Sequence, residues 1–147
     1  MSDSFKTRPG LPGYVDGMTL RLNLFGLVVK DMARSLAFYR HLGLDLSSEA
    51  DRQPHAEVEL PGGLRLAWDT VETIHTFDPD WRPPSGSHRV ALAFELDTTA
   101  EVDAMYDKLV ALGYHGHTAP FDAVWGQRYA IIDDPDGNAV DLYSPAT

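Results

Sequence analysis

The sequence predicts an α+β fold of two β-α-β-β-β modules, and three observations carry that prediction. A strand followed by a helix occurs twice, each helix ends on a Leu-Gly pair, at 42/43 and 112/113, and short alternating strands follow each helix. The spacing between the two Leu-Gly stops marks an internal repeat.

The first unit begins with the apolar run Leu20 to Val29, which carries no capping signal until Asp31. From Asp31 as N-cap, Met32, Leu36 and Tyr39 recur at helical spacing, Ala33, Phe38 and Leu42 widen the stripe, and Arg34, Ser35 and Arg40 are expected to face water. Gly43 is the left-handed stop. Leu44 to Ala50 starts the next strand, His55 to Leu60 alternates polar and apolar residues, and Leu64 to Asp69 returns after the turn Pro61-Gly62-Gly63.

The second unit opens with the strand His88 to Asp97. A helix follows in which Thr98 and Glu101 form a capping box, Val102, Met105, Tyr106, Leu109 and Leu112 make the buried stripe, and Gly113 is the stop. A short strand over 114–120, a loop over 121–126, a strand over 127–134, the tight turn Asp134-Pro135-Asp136-Gly137 and a last strand over 138–144 complete it.

Residues 1–18 hold Pro and Gly but no apolar core of signal-peptide type, and read as a loose N-terminal arm. Residues 19–147 form one domain: module one over 19–70, a linker over 71–87 and module two over 88–144. The linker is long for a structureless connection, which makes it a candidate for lining a site, with Phe77 and Trp81 as its large apolar side chains.

Acidic residues outnumber Lys and Arg by 22 to 12, for a net charge of −10, which argues against nucleic acid or an anionic membrane as partner. No run reaches membrane-spanning length. There are no cysteines, so disulfides and thiolate metal sites are excluded, and the expected location is the cytoplasm.

The stretches VVKDMARSLAFYRHLGLDL and WGQRYAIIDDPDGNAVDLYSP resemble the two hallmark segments of the vicinal oxygen chelate superfamily, which groups glyoxalase I, the bleomycin resistance proteins and the extradiol dioxygenases. The resemblance implies paired modules curled into an incomplete barrel around a cavity, a homodimer and a small-molecule ligand. It also implies, for the enzymes of the group, a divalent metal (Zn, Ni, Mn or Fe) held by four side chains on the first and last strands of each module.

Counting along this chain puts those positions at Leu24, at Ala67 or Trp68, at Val90 or Ala91, and at Asp141. Only Asp141 can ligate, so no metal is expected; His88, Asp69 and Asp141 would supply one only if the register differed. His115 and His117 share one strand face but lack a third donor.

A cavity without a metal is then expected, with Leu24, Gly26 and Val28 on the ligand side, and Asp141 facing inward beside Ala139 and Tyr143. Their partners across the last hairpin are expected among Arg128, Ala130 and Ile132, unless a bulge at Gly137 shifts that register by one. Ala67, Trp68, Trp125, Arg128 and Tyr129 complete the expected lining, and a structural ion pair between Arg128 and Asp141 is the plainer reading of that pair.

Two functions follow. One is metal-independent sequestration of an antibiotic or of an aromatic or cationic metabolite between aromatic walls. The alternative is a lyase or isomerase with Asp141 as general base, assisted by Arg128, Tyr143 or His88. A metal-dependent glyoxalase or dioxygenase would require a different register.

Overall fold

The computed structural model describes residues 13–146. Its elements run β1 Tyr14–Val15, β2 Met18–Thr19, β3 Leu24–Val29, α1 Met32–His41, β4 His55–Glu59, β5 Arg65–Thr70, α2 Val71–His75, β6 Ala91–Glu95, α3 Thr99–Ala111, β7 Gly116–Ala123, β8 Gln127–Asp133 and β9 Ala139–Pro145. The three-stranded sheet of module one has the order β3-β5-β4, and the four-stranded sheet of module two has the order β6-β9-β8-β7. Neither sheet closes on itself, as expected of an α+β fold of this kind.

Each module repeats one chiral step. The first strand pairs parallel with the last, β3 with β5 and β6 with β9, and the helix between them crosses over one face. Helix caps fix where the crossover starts. The Asp31 carboxylate accepts from Arg34 N at 3.1 Å, and Thr98 and Glu101 make the reciprocal capping box. Gly43 and Gly113 then take the left-handed conformation, with φ of 92° and 100°.

The core lies between the helices and the sheet faces beneath them. Leu27, Val29, Leu66 and Trp68 of sheet one and Ala130, Ile132, Val140 and Leu142 of sheet two pack against Leu36, Phe38, Tyr39, Val102 and Leu109 in one continuous cluster. Phe38 meets Tyr114 edge-on at 4.9 Å between ring centres, which joins the modules directly.

Several local expectations are corrected. Leu44 to Ala50 is not a strand but leads into a 3-10 turn, Ser48–Arg52. The reason is Arg40, whose guanidinium donates to the carbonyls of Leu46 at 2.8 Å and Ser47 at 2.7 Å and to the Asp51 carboxylate at 2.8 Å. Those carbonyls cannot then serve a sheet ladder. Ser35 is fully buried, whereas Ala33 and Leu112 are exposed.

Residues 20–23 precede β3 rather than belong to it, and residues 121–123 extend β7 instead of forming a loop. The arm expected over 1–18 lies outside the described residues up to residue 12; beyond that, β1 and β2 pair as a small hairpin. The linker is not wholly irregular: Thr70 accepts from Thr73 N and caps α2, which buries Ile74. Among the described residues, no helix is long and apolar enough to cross a membrane.

Candidate functional site

A cavity of about 780 Å³ lies at the junction of the modules. Its floor comes from Phe25, Leu27 and Val28 of β3 and from Val90 and Leu92 at the start of module two; Trp81, Pro83 and Pro84 of the linker form a further wall. Such walls are mainly apolar, and the volume suits a small organic molecule.

The polar side chains at the cavity are Lys30, Glu72, Asp136 and Asn138, the last two at and just after the Asp134-to-Gly137 turn. Asp134 is buried and holds the turn from inside: its Oδ1 accepts from Asp136 N and Asn138 N, each at 2.9 Å, and its Oδ2 from Asn138 Nδ2 at 2.9 Å and the Tyr39 hydroxyl at 2.7 Å. Desolvation, followed by the neighbouring Asp134 charge, pushes the Tyr39 hydroxyl far above its ordinary value, so it remains a donor.

The turn thereby presents Asp136 to the cavity. Asp136 Oδ1 accepts from Lys30 N at 2.9 Å, while Oδ2 is buried without a hydrogen-bond partner. Burial raises the Asp136 carboxyl above the usual carboxylate value, partly countered by the Lys30 N–H. A carboxylate with an unpartnered oxygen, at a cavity whose other polar side chains are Lys30, Glu72 and Asn138, is a point at which a donor-bearing ligand gains most.

The residues singled out from sequence are distributed differently. Leu24, Ala67 and Asp141 share the faces of their sheets that point away from the helices: Leu24 pairs with Arg65, Ala67 with Gly26 and Glu57, and Asp141 with Ala93 and Ile131. The register of β8 is shifted by one from the expected pairing, since Tyr129 stands opposite Tyr143 and Ile131 opposite Asp141. Arg128 is therefore turned to the helix side, where it forms a bidentate pair with Asp103 of α3, at 2.9 and 3.1 Å, and reaches Asp122 at 3.1 Å. It makes its ion pairs there and not with Asp141.

Trp68 is likewise on the helix side, fully buried, its ring 5.4 Å from that of Tyr39. Of the residues expected on the ligand side, Gly26, Val28 and Ala139 line the junction cavity, whereas Leu24, Ala67, Trp68, Trp125, Arg128, Tyr129, Asp141 and Tyr143 do not. Trp125, Tyr129, Tyr143 and Asp141 instead form a second group, on the open face of sheet two. Tyr129 stacks on Tyr143 at 6.1 Å, Trp125 stands edge-on to Tyr129 at 5.5 Å, and the Tyr129 hydroxyl donates to Asp141 Oδ2. Burial, then the Asp141 bond, pushes the Tyr129 hydroxyl up to about 12.

The open face of sheet one carries a polar group that the sequence reading did not single out. His55 Nδ1 meets Asp69 Oδ1 at 2.7 Å and its Nε2 meets Glu57 Oε2 at 2.9 Å, while Arg65 donates to Glu57 at 2.9 Å. Both imidazole nitrogens face carboxylates, so the Glu57 bond and then the Asp69 bond raise the His55 value; the His55 bond and then Arg65 depress that of Glu57. The contribution of His55 to stability is complete below about pH 6.5 and is lost as pH rises through its raised value. That of Glu57 is present above the ordinary carboxylate value and is lost as pH falls through the depressed one. NMR titration of the ring protons is expected to place His55 above free histidine, and Glu57→Gln to bring it back down; no movement in that variant would mean the contact is not formed in solution.

The family-type metal positions do not fit a cation. Leu24, Ala67 and Ala91 or Val90 offer no side-chain donor, Trp68 is turned away, and Asp141 is committed to Tyr129.

What the sequence reading missed is the pairing of the linker with the Asp134-to-Gly137 turn. The legible signals were the length of the linker and its Trp81 and Pro83-Pro84, but nothing local placed them opposite Asp136.

Comparison with known proteins agrees with this architecture. No curated protein matches the chain. A glyoxalase/bleomycin resistance protein/dioxygenase from Nocardioides is similar at 29% identity, with a TM-score of 0.66 over 86% of this chain and 84% of that one. A glyoxalase/bleomycin resistance protein/dioxygenase family enzyme from Burkholderia phytofirmans PsJN shares the fold at 17% identity and a TM-score of 0.73, over 86% of this chain and 99% of that one. So does a glyoxalase-related enzyme from Fulvimarina pelagi, at 22% identity and a TM-score of 0.70, over 84% and 87%. The family model for the Glyoxalase/Bleomycin resistance protein/Dioxygenase superfamily matches residues 21–142, and the chain belongs to that superfamily.

Proposed function

We propose that this protein binds a small organic molecule with an apolar body and a cationic or N–H-bearing group, held in the junction cavity without a metal and released unchanged. The observation that carries this reading is Asp136, which lines a mainly apolar cavity of about 780 Å³ and whose buried Oδ2 has no hydrogen-bond partner. Its apolar walls, with the Trp81 ring among them, would take the body of the ligand, and Asp136 would accept from its donor. The net charge of −10 would favour the approach of a cation.

The test is a panel of planar and amine-bearing compounds screened by ligand-detected NMR and tryptophan fluorescence. For an amine-bearing ligand, Asp136→Asn is expected to weaken binding by about tenfold to a hundredfold, the loss of one hydrogen bond to a charged group. Recovery of the ligand unchanged is expected as well. Equal affinity in the variant, or a ligand that shifts only Trp125 and Tyr143 signals, would remove the cavity from the reading.

The hydrogen bond between Tyr129 and Asp141 favours a second reading, a lyase or isomerase in which this pair moves a proton on the open face of sheet two. Turnover abolished by Asp141→Asn and untouched by Asp136→Asn would establish that reading in place of the first.

A further inference from the structure

Asp133 ends β8 on the open face of sheet two, and three imidazoles surround it. His88 Nε2 lies 3.8 Å and His117 Nδ1 3.7 Å from Asp133 Oδ1, and His115 Nε2 lies 3.9 Å from Oδ2. These separations are too long for hydrogen bonds. Asp133 Oδ1 is accordingly buried with no hydrogen-bond partner, although its side chain is only 15% exposed. One ligand atom from each of His88, His117 and Asp133 lies within 4.8 Å of the other two.

Two imidazole nitrogens from His88 and His117 thus converge on one buried carboxylate oxygen, a donor set of the kind that holds a late first-row cation. We propose that His88, His117 and Asp133 bind a borderline divalent cation such as Zn²⁺. Bonds of about 2.0–2.2 Å to nitrogen and oxygen put ligand atoms a little over 3 Å apart in a tetrahedral set, so the two separations to Asp133 need shorten only slightly. The two imidazole nitrogens, within 4.8 Å of each other, would draw together by rotation of exposed side chains. Two imidazoles with one carboxylate suit Zn²⁺ or another late first-row ion rather than Ca²⁺ or Mg²⁺. His88 Nε2 now contacts the Gly137 carbonyl, which loading would exchange for the metal.

These are not the strand positions at which the family's enzymes carry their ligands, and none of the three residues lines the junction cavity. The cation would tie the approach to β6 at His88 to the β7-β8 hairpin, at the start of β7 with His117 and the end of β8 with Asp133. The role is that of a structural clamp with an open coordination position toward solvent, since His88 and His117 are exposed.

The neighbourhood of His55 does not compete. Its two nitrogens point to different carboxylates, so Asp69 and Glu57 do not converge on one point.

The experiment is calorimetric titration of Zn²⁺ into the untagged, EDTA-treated full chain, with Co²⁺ substitution to read the donor set from its visible absorption. One ion per chain is expected, with a rise in the unfolding temperature. Because even outer-shell changes weaken metal sites about tenfold to a hundredfold, His88→Ala and His117→Ala should each weaken binding at least tenfold. Both residues are exposed, so the variants should fold; Asp133→Asn is the third member of the set. His55→Ala and His75→Ala should bind like the parent. Absence of binding, or binding kept in both His88 and His117 variants, or lost instead with His55, overturns the proposal. The outcome is independent of the Asp136→Asn result, which reports on the cavity alone.

Discussion

Trp68→Ala is expected to destabilise the protein by about 3–5 kcal/mol, read as a lower urea midpoint at unchanged slope. Trp68 is at the centre of sheet one, paired with Leu27 on one side and Ala56 on the other, and none of it reaches solvent. Its ring fills the space beneath Tyr39. Alanine would leave a cavity bounded by sheet pairing on two sides, where collapse is difficult.

Trp68→Phe should cost less, for two reasons. It keeps most of the apolar volume, and it removes an indole N–H that is buried without a partner. Trp125→Ala is the contrast: at 59% exposure it should change stability by less than about 0.5 kcal/mol. Equal effects at the two tryptophans would mean that Trp68 does not face the core.

Asp134→Ala is the second large effect, a loss of about 3 kcal/mol or more. The carboxylate is buried and accepts four hydrogen bonds, three within its own turn and one from Tyr39 of the other module. Bonds to a charged group contribute about 1.5–3 kcal/mol each and do not simply add within one network. A double-mutant cycle with Tyr39→Phe isolates the link between modules, and a coupling of about 1–3 kcal/mol is expected. A coupling near zero would leave the modules joined by apolar packing alone.

The same variant separates stability from binding. Asp134 holds the turn that presents Asp136, so Asp134→Ala should lower ligand affinity and stability together, while Asp136→Asn should lower affinity with little change in stability. Chemical-shift changes confined to residues 134–138 would locate the first effect in the turn.

Much of this architecture was written locally. Asp31, Thr98 and Glu101 cap helices because side-chain oxygens reach free amides within three residues, and Gly43 and Gly113 stop them because a left-handed residue is needed there. Parity on β9 was equally readable, since alternation along one strand needs no partner. Its register against β8 was not: one residue of difference turned Arg128 to Asp103 and brought Tyr129 to Asp141. Arg40 overrode an apparent strand at Leu44 to Ala50 by capturing its carbonyls from a neighbouring helix.

By itself, then, the sequence determined the two strand-helix units, their caps and stops and the family likeness, because those signals act over a few residues. Only the tertiary structure decided which polar atoms end up without partners. Asp136, whose Oδ2 has no partner, lines the cavity walled by the linker, and Asp133 Oδ1 lies among histidines from the approach to β6 and the start of β7. The first is an encounter between the two modules and the linker, the second between strand ends within module two, and no local pattern records either.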